Sequence, residues 1–410
     1  MFYQITEENA VDYIKKTKVY KEILNSANDL KCEDLALGNI NLIFRIYSEA
    51  DPKNSVILKQ ALTYARKYPE FKLPQERAYL EADVLKIENE YCPDAAPHLY
   101  LYDEEMYINL MEDANDHLIM RDGLMRQIYY PKFPKQMGVF LARTLFYTSI
   151  FFLPADVKKD KVVRFTNKPM CKITEDLIFT QPWMDHPDNH WTEPFLDPVA
   201  EELQNNAELR RESLKLKEAF MNHTEALIHG DLHTGSIMIN PEQIKVIDPE
   251  FGFYGPMGFD IGAVIGNLVL SYASQEYHAK EKKVRQEYQQ WILDTIKGVW
   301  VEFEKEFRKL WKEKRLKGEW ESDLYLEDFL KKTMQDSIGF GGCKIVRRLF
   351  GLAHVPDMWE IPEDRSRAVC ESMAYNAGKQ WVLQHETIAS IDEAVSLIKD
   401  FAIPHPSLQE

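Results

Sequence analysis

The segment IHGDLHTGSIMINPEQIKVIDPEFGFYGPMGFDIG gathers Asp231, Ser236, Asp248 and Glu250 into one short part of the chain. Asp231 lies in a glycine-bearing loop, with Ser236 a few residues on. Two apolar runs, SIMI and IKVI, flank the turn-forming NPEQ, and Asp248 follows the second run directly. The three residues are expected to converge at one end of this hairpin. An oxygen-rich set of this kind suits a hard cation such as Mg2+, held by one or two carboxylates plus substrate phosphates. It is also the layout of phosphoryl transfer. One Asp receives the proton of an attacking hydroxyl, a second holds the metal, and a small polar residue assists. A single loop Asp is more often a turn cap; the ordered set argues for chemistry. His229 and His233 share the stretch, but no further His or Cys has matching spacing, and the carboxylates favour Mg2+ over zinc. His229 is read as a structural residue that orients the loop.

Elsewhere, Lys59 sits in the strand-like run SVILKQAL among apolar neighbours, where an unpaired ammonium would be costly. A carboxylate from the next helix is its expected partner, Glu81 ahead of Glu76, with nucleotide phosphates as the ligand. The run LALGNINLIF carries Gly38, Asn39 and Asn41, a turn that would cover those phosphates. INLMEDAND ends a strand at Met111, Glu112 and Asp113, where backbone groups could hold adenine. GGCKIVRRLFGLAHV contains Arg347 and Arg348, about 100° apart on a helix and so unable to serve one ligand in the same way.

The elements that position these residues follow from patterning. Residues 5–30 read as helical. Strands are expected within 34–49 and 55–62 as a hairpin, a helix over 73–92 after a proline start, and short strands in 98–113. Beyond Asp113 helical spacing dominates over 115–153, 197–228, 258–313, 323–351 and 365–386. The expected fold class is α+β, with a small sheet-rich N-terminal lobe (1–111) that binds nucleotide and a large, mainly helical C-terminal lobe (112–410) for catalysis and substrate.

The 410 residues allow two or three domains, and a net charge of −16 argues against nucleic acid or an anionic membrane as partner. Five widely spaced cysteines without a C-x-x-C pair argue against a disulfide framework or structural zinc. The N-terminus has no apolar signal core, and no run of eighteen apolar residues occurs. A reduced, cytoplasmic protein is expected.

HGDLHTGS followed by IDPEFGFYGPMGFDIG resembles the S-methyl-5-thioribose kinase family, within the aminoglycoside phosphotransferases and choline kinases. The broad group shows H-G-D-x-x-x-x-N and then D-x-D or D-x-E. Here Ser236 takes the Asn position and Asp248-Pro249-Glu250 the second motif, departures that resemble the narrower family. SVILKQAL and KIVRRLFGLAHV are similar to its lysine strand and arginine-pair segment. In the nucleotide loop, Ala36 and Leu37 replace the usual Gly-Asp of G-D-G-N-x-N.

The resemblance implies a two-lobed protein-kinase-like fold and ATP-dependent phosphorylation of the 1-hydroxyl of 5-methylthioribose, in methionine salvage. It assigns Asp231 as base, Asp248, Glu250 and Ser236 to Mg2+, and Lys59, oriented by Glu81, to the phosphates. Arg347 and Arg348 would stabilise the transferring charge or grip the sugar, with Asp231 and His233 lining its site. A homodimer is implied by the family. The alternatives are a kinase of an aminoglycoside, choline or homoserine, and an inactive nucleotide-binding scaffold. The aromatic loop FTQPWMDHPDNHW (179–191) is a candidate cover for the methylthio group, and the role of Asp260 is open.

Overall fold

LIFRIYS alternates buried and half-buried residues along its length, the period-two pattern of a strand with one face on a core. It forms strand β2 (Leu42–Ser48) and pairs antiparallel with β3 (Ser55–Gln60), so the expected hairpin is present. A strand precedes them: β1 (Leu30–Asp34) runs antiparallel to β2, pairing Leu30 with Ser48 and Asp34 with Phe44. Its sequence, LKCED, has little strand character of its own, and pairing with β2 decides its conformation. Upstream lie helices α1 (Glu7–Ile14) and α2 (Lys18–Glu22). A two-stranded ribbon follows β3, β4 (Tyr64–Ala65) with β5 (Tyr68–Lys72), then helix α3 (Arg77–Tyr91) and strands β6 (Leu99–Asp103) and β7 (Ile108–Glu112). The resulting five-stranded sheet has the order β1-β2-β3-β7-β6, each neighbouring pair antiparallel.

The sheet has two unlike faces. Val56 and Leu58 of β3 join Phe44, Ile46, Ile108 and Leu110 in a core capped by Ala10, Tyr13 and Ile14 of α1. The opposite parity of β3, Ile57 and Lys59, faces the other way, where Ile57 packs with Leu85 of α3 and Met111 of β7. The strand period therefore delivers Lys59 to the α3 side of the sheet.

The computed structural model describes residues 2–36 and 40–408 and falls into two units. One contains Met1–His117 together with Lys245–Gly252, the other Leu118–Ile244 and Phe253–Glu410. Segment 245–252 thus brings Asp248 and Glu250 into the sheet-rich unit, while Asp231 and Ser236 belong to the helical one. The apolar runs flanking NPEQ are strands, Ile237–Ile239 and Ile244–Val246, and the Asn240 N–H closes the turn on Gln243 O at 3.1 Å.

In the helical unit the expected 115–153 helix is interrupted. A short helix, Met120–Met125, ends before Pro131, and the long helix Phe133–Tyr147 restarts with Pro134 in its first turn. The 258–313 pattern is two helices, Met257–His278 and Lys282–Lys314, and the stretch 155–179 holds two more, Ala155–Arg164 and Lys168–Phe179. Met257–His278 is long and apolar enough to cross a membrane, yet 94% of its most apolar stretch is buried inside the protein. It packs against Asp323–Phe350 through glycine: a Cβ on Gly262 would lie 2.4 Å from Ser337 O, and one on Gly266 2.7 Å from Gly341 O. Only hydrogen at both positions lets the two helices approach this closely. Their contact positions the C-terminal turns of Asp323–Phe350, which carry the arginine pair.

Candidate active site

In the sheet-rich unit, Lys59 is 5% exposed and donates from Nζ to Glu81 Oε1 at 2.7 Å. Glu76, the alternative partner, is the residue before the first turn of α3. Asn109, opposite Lys59 on β7, donates to Glu81 Oε2 at 3.3 Å and to Ala78 O at 3.0 Å, fixing the carboxylate from both sides. Lys59 also pairs with Asp248 Oδ1. Burial alone would lower the Lys59 pKa, but Asp248, Glu81 and Glu250 outweigh it and raise it, so the ammonium is held charged. Burial pushes Glu81 up to about 7, against the pull of Lys59.

Asp248 adopts a left-handed backbone, φ 69°, directly before Pro249, a conformation the following proline disfavours. The turn Pro249–Phe251 then carries Glu250 inward, where its Oε2 accepts from Asn41 Nδ2 at 2.9 Å and Arg77 Nε at 3.2 Å. Arg77 Nη2 donates in turn to Asn41 Oδ1 at 2.8 Å. The strain at Asp248 thus sends two acidic side chains one residue apart into one cluster. Three carboxyl groups (Glu81, Asp248, Glu250) face two cations (Lys59, Arg77). Burial and then Asp248 raise the Glu250 pKa, against the pull of Lys59 and Arg77. Asp248 is 41% exposed in its side chain and open to a ligand. The donor set is all oxygen and fits Mg2+.

The other expected nucleotide residues have structural partners. Asn41 is 3% exposed and binds Glu250 rather than presenting to solvent. Glu112 accepts from Lys245 Nζ at 2.9 Å and from the His98 N–H at 3.0 Å, and its own N–H donates to His98 O at 2.9 Å. Asp113 Oδ2 accepts from Arg45 Nε at 2.6 Å and Ser55 Oγ at 2.7 Å. Met111 is buried beside Leu85. Gly38 and Asn39 lie outside the described residues.

In the helical unit, Asp260 in the first turn of Met257–His278 accepts the His229 N–H at 2.6 Å and the Gly230 N–H at 3.0 Å. It is the brace of the Asp231 loop, which settles a role the sequence left open. Gly230 supplies the turn, at φ 84°. Asp231 Oδ1 accepts from Lys344 Nζ at 3.0 Å, and Oδ2 lies 3.4 Å from His233 Nε2. The Gly235 N–H donates to His233 Nδ1 at 3.0 Å, so the ring proton of neutral His233 sits on Nε2, toward Asp231. Burial holds the His233 pKa well below its usual value, aided by Arg348 and Arg121. Burial would raise the Asp231 pKa, but Lys344, His233, Arg348 and Arg347 together outweigh it, and the carboxylate is held well below its usual range. Ser236 Oγ donates to Asp231 O at 3.1 Å.

Arg347 and Arg348 both donate through Nη1 to Ala353 O, at 3.1 and 3.4 Å. They converge on one carbonyl despite their angular separation on the helix, because the chain turns back beyond Gly351. Burial and the adjacent Arg347 both oppose the charge of Arg348. A guanidinium keeps its proton, so the site is poised for an anion. Sequence reasoning missed Lys344, Arg77, Arg121 and Asp357. Lys344 had a usable signal: it stands three and four residues before the arginine pair, on the same helix face. Arg121 and buried Asp357 pair at 3.0 Å, which sequence spacing could not indicate.

Among the described residues, Glu212–His385–Glu386 and His223–Glu225–Asp336 could geometrically hold an ion. Neither contains a residue expected from the sequence. Lys215 neutralises Glu212 and Glu386, at 2.9 and 2.7 Å, and Lys332 pairs with Glu225 and Asp336.

The model of the phosphotransferase enzyme family matches residues 53–293. Methylthioribose kinase 1 of Oryza sativa subsp. japonica is 38% identical over 98% of this chain and 96% of its own length. Methylthioribose kinase of Geobacillus sp. (strain WCH70) is 38% identical over 96% of this chain and 95% of its own. Among solved structures, choline kinase from Cryptosporidium parvum Iowa II matches 96% of this chain at 12% identity and a TM-score of 0.46. With more than a third of residues shared along nearly the whole length of both partners, the chain belongs to the methylthioribose kinases, small-molecule kinases of the phosphotransferase enzyme family.

Proposed function

We propose that the protein transfers the γ-phosphoryl group of ATP to the 1-hydroxyl of 5-methylthioribose, giving ADP and 5-methylthioribose 1-phosphate. The observation that carries the acceptor's class is the charge around Asp231: Lys344, Arg347 and Arg348 act on one carboxylate. Such a setting suits a neutral sugar and disfavours a cationic acceptor such as choline or an aminoglycoside.

Asp231 orients the anomeric hydroxyl and takes its proton. The hydroxyl oxygen forms the new P–O bond as the bond from the γ-phosphorus to the β-phosphate oxygen breaks. An anomeric hydroxyl is more acidic than an ordinary alcohol, so an ionised carboxylate of low pKa is sufficient. His233 donates toward Asp231 and lines the sugar site. Arg347 and Arg348 meet the charge on the moving phosphoryl group. Lys59, held by Glu81, grips the ATP phosphates, Asn41 supports the site by holding Glu250, and Met111–Asp113 borders the adenine. Asp248 and Glu250, with Ser236, would hold Mg2+, which would supply positive charge to neutralise the phosphates. The N-terminal lobe (1–111) is thus the nucleotide-binding part and 112–410 the catalytic and substrate-binding part. The enzyme works in methionine salvage as a cytoplasmic homodimer without nucleic-acid or membrane partners.

ADP release across methylthioribose, ribose, choline, homoserine and an aminoglycoside tests this reading. Methylthioribose should be used at least tenfold better in kcat/KM than any other, and Asp231→Ala should remove more than about 99% of it with ATP binding retained. Preference for a cationic acceptor overturns the proposal.

A further inference from the structure

Lys344 is 2% exposed, yet its ammonium is not a free charge in the core. It donates to Asp231 Oδ1 at 3.0 Å and stands 4.5 Å over the ring of Phe259. Phe259 precedes Asp260, so one helical turn both braces the loop backbone and backs the lysine. A carboxylate can rotate about its last bond and offer either oxygen. Here Oδ1 is tied to Lys344, whereas Oδ2 faces His233 Nε2 at 3.4 Å, a looser contact.

We infer that Lys344 is a positioning residue for phosphoryl transfer: by fixing Oδ1 of Asp231 in the core, it leaves Oδ2 aimed at the acceptor hydroxyl. This rests on the reading of Asp231 as the group that faces the acceptor. The opposing view makes Lys344 a counter-ion that only keeps a buried carboxylate tolerable. The two differ in what Lys344 does to turnover through Asp231. A counter-ion alters stability, while a positioning residue alters kcat only when the carboxylate is present to be positioned.

The experiment is a double-mutant cycle on the full-length protein with saturating ATP and methylthioribose. Lys344→Met should lower kcat about 100-fold while the KM for ATP stays within twofold. In the Asp231→Asn background, with its residual rate, Lys344→Met should cost less than twofold more. Lys344→Arg keeps the charge and should retain at least tenfold more kcat than Lys344→Met. If Lys344→Met does not fold, Lys344→Gln takes its place in the cycle. The inference is overturned if the neutral variant keeps half of the parent kcat, or if its cost is as large without the Asp231 carboxylate as with it. A parent enzyme with no activity toward methylthioribose would instead refute the proposed function.

Discussion

Asp260→Asn tests whether the loop that carries Asp231 is built by one carboxylate. The substitution keeps the size of the side chain and changes only its hydrogen-bonding. Asp260 now accepts two backbone N–H groups, from His229 at 2.6 Å and Gly230 at 3.0 Å, and is 2% exposed. An amide keeps one acceptor oxygen and turns an NH2 toward the other N–H, donor against donor. Hydrogen bonds to a charged group contribute about 1.5–3 kcal/mol, and a buried unsatisfied donor costs about 1–3 kcal/mol. One weakened and one broken bond together predict a loss of about 2–4 kcal/mol. In a unit of this size that is a fall in Tm of about 4–8 °C by calorimetry. The loop loses its anchor two and one residues before Asp231, so kcat should drop about 10–100-fold with the KM for ATP within twofold. The pH dependence has a definite sign. Burial raises the Asp260 pKa above its unfolded value, so the folded state holds the proton over a range where the unfolded state has lost it. Stability from this group is therefore complete below the unfolded pKa and lost as pH rises through the folded one, and Asn removes that fall. If Asp260→Asn leaves Tm within 1 °C and kcat within twofold, the bracing role is wrong.

Lys59→Met leaves Glu81 and Asp248 without their shared cation. Breaking a buried pair by removing one partner costs about 3 kcal/mol or more, and the KM for ATP should rise at least tenfold in steady-state assays. An unchanged KM would remove Lys59 from the phosphate site. Glu371 is buried, accepts from Thr192 Oγ1 at 2.6 Å, and is pushed by burial from 4.5 up to about 7. Its folded pKa is the higher one, so stability should fall by about 3 kcal/mol as pH rises from about 4.5 through 7. Glu371→Gln should flatten that fall, seen as a smaller difference in Tm between pH 5.5 and pH 8; the same difference in both proteins would refute it.

What sequence could and could not reveal follows from the range of the interactions. The β2–β3 hairpin and α3 were legible because strand alternation and a proline start are local signals. The pairing of Lys59 with Glu81 was legible too, because an ammonium among apolar residues needs a carboxylate and the next helix offered one. β1 was not legible: LKCED becomes a strand only because β2 is there to pair with it. The break near Pro131 and Pro134 was visible in the sequence, but helical spacing on either side masked it.

The acidic motif shows the division most sharply. Composition and order pointed to Asp231, Ser236 and Asp248, and the family resemblance to Glu250, but neither pointed to the buried partners that give each its state. Arg77 and Asn41 hold Glu250, and Lys344 and Gly235 set the surroundings of Asp231 and His233. Apart from the local bond between Gly235 and His233, these contacts join residues far apart in sequence, with no period to announce them. Ala36 shows the reverse case, a local departure with a physical cost. It stands where the related pattern has glycine, and its φ is 50°, a region where a Cβ costs about 1–2 kcal/mol per residue. Its N–H donates to Asp34 Oδ1 at 2.8 Å, and Arg66 clasps the same carboxylate at 3.0 and 2.6 Å. Side chains beside it thus hold Ala36 in a backbone that glycine would adopt unaided: its N–H is tied to the Asp34 carboxylate, which Arg66 in turn fixes.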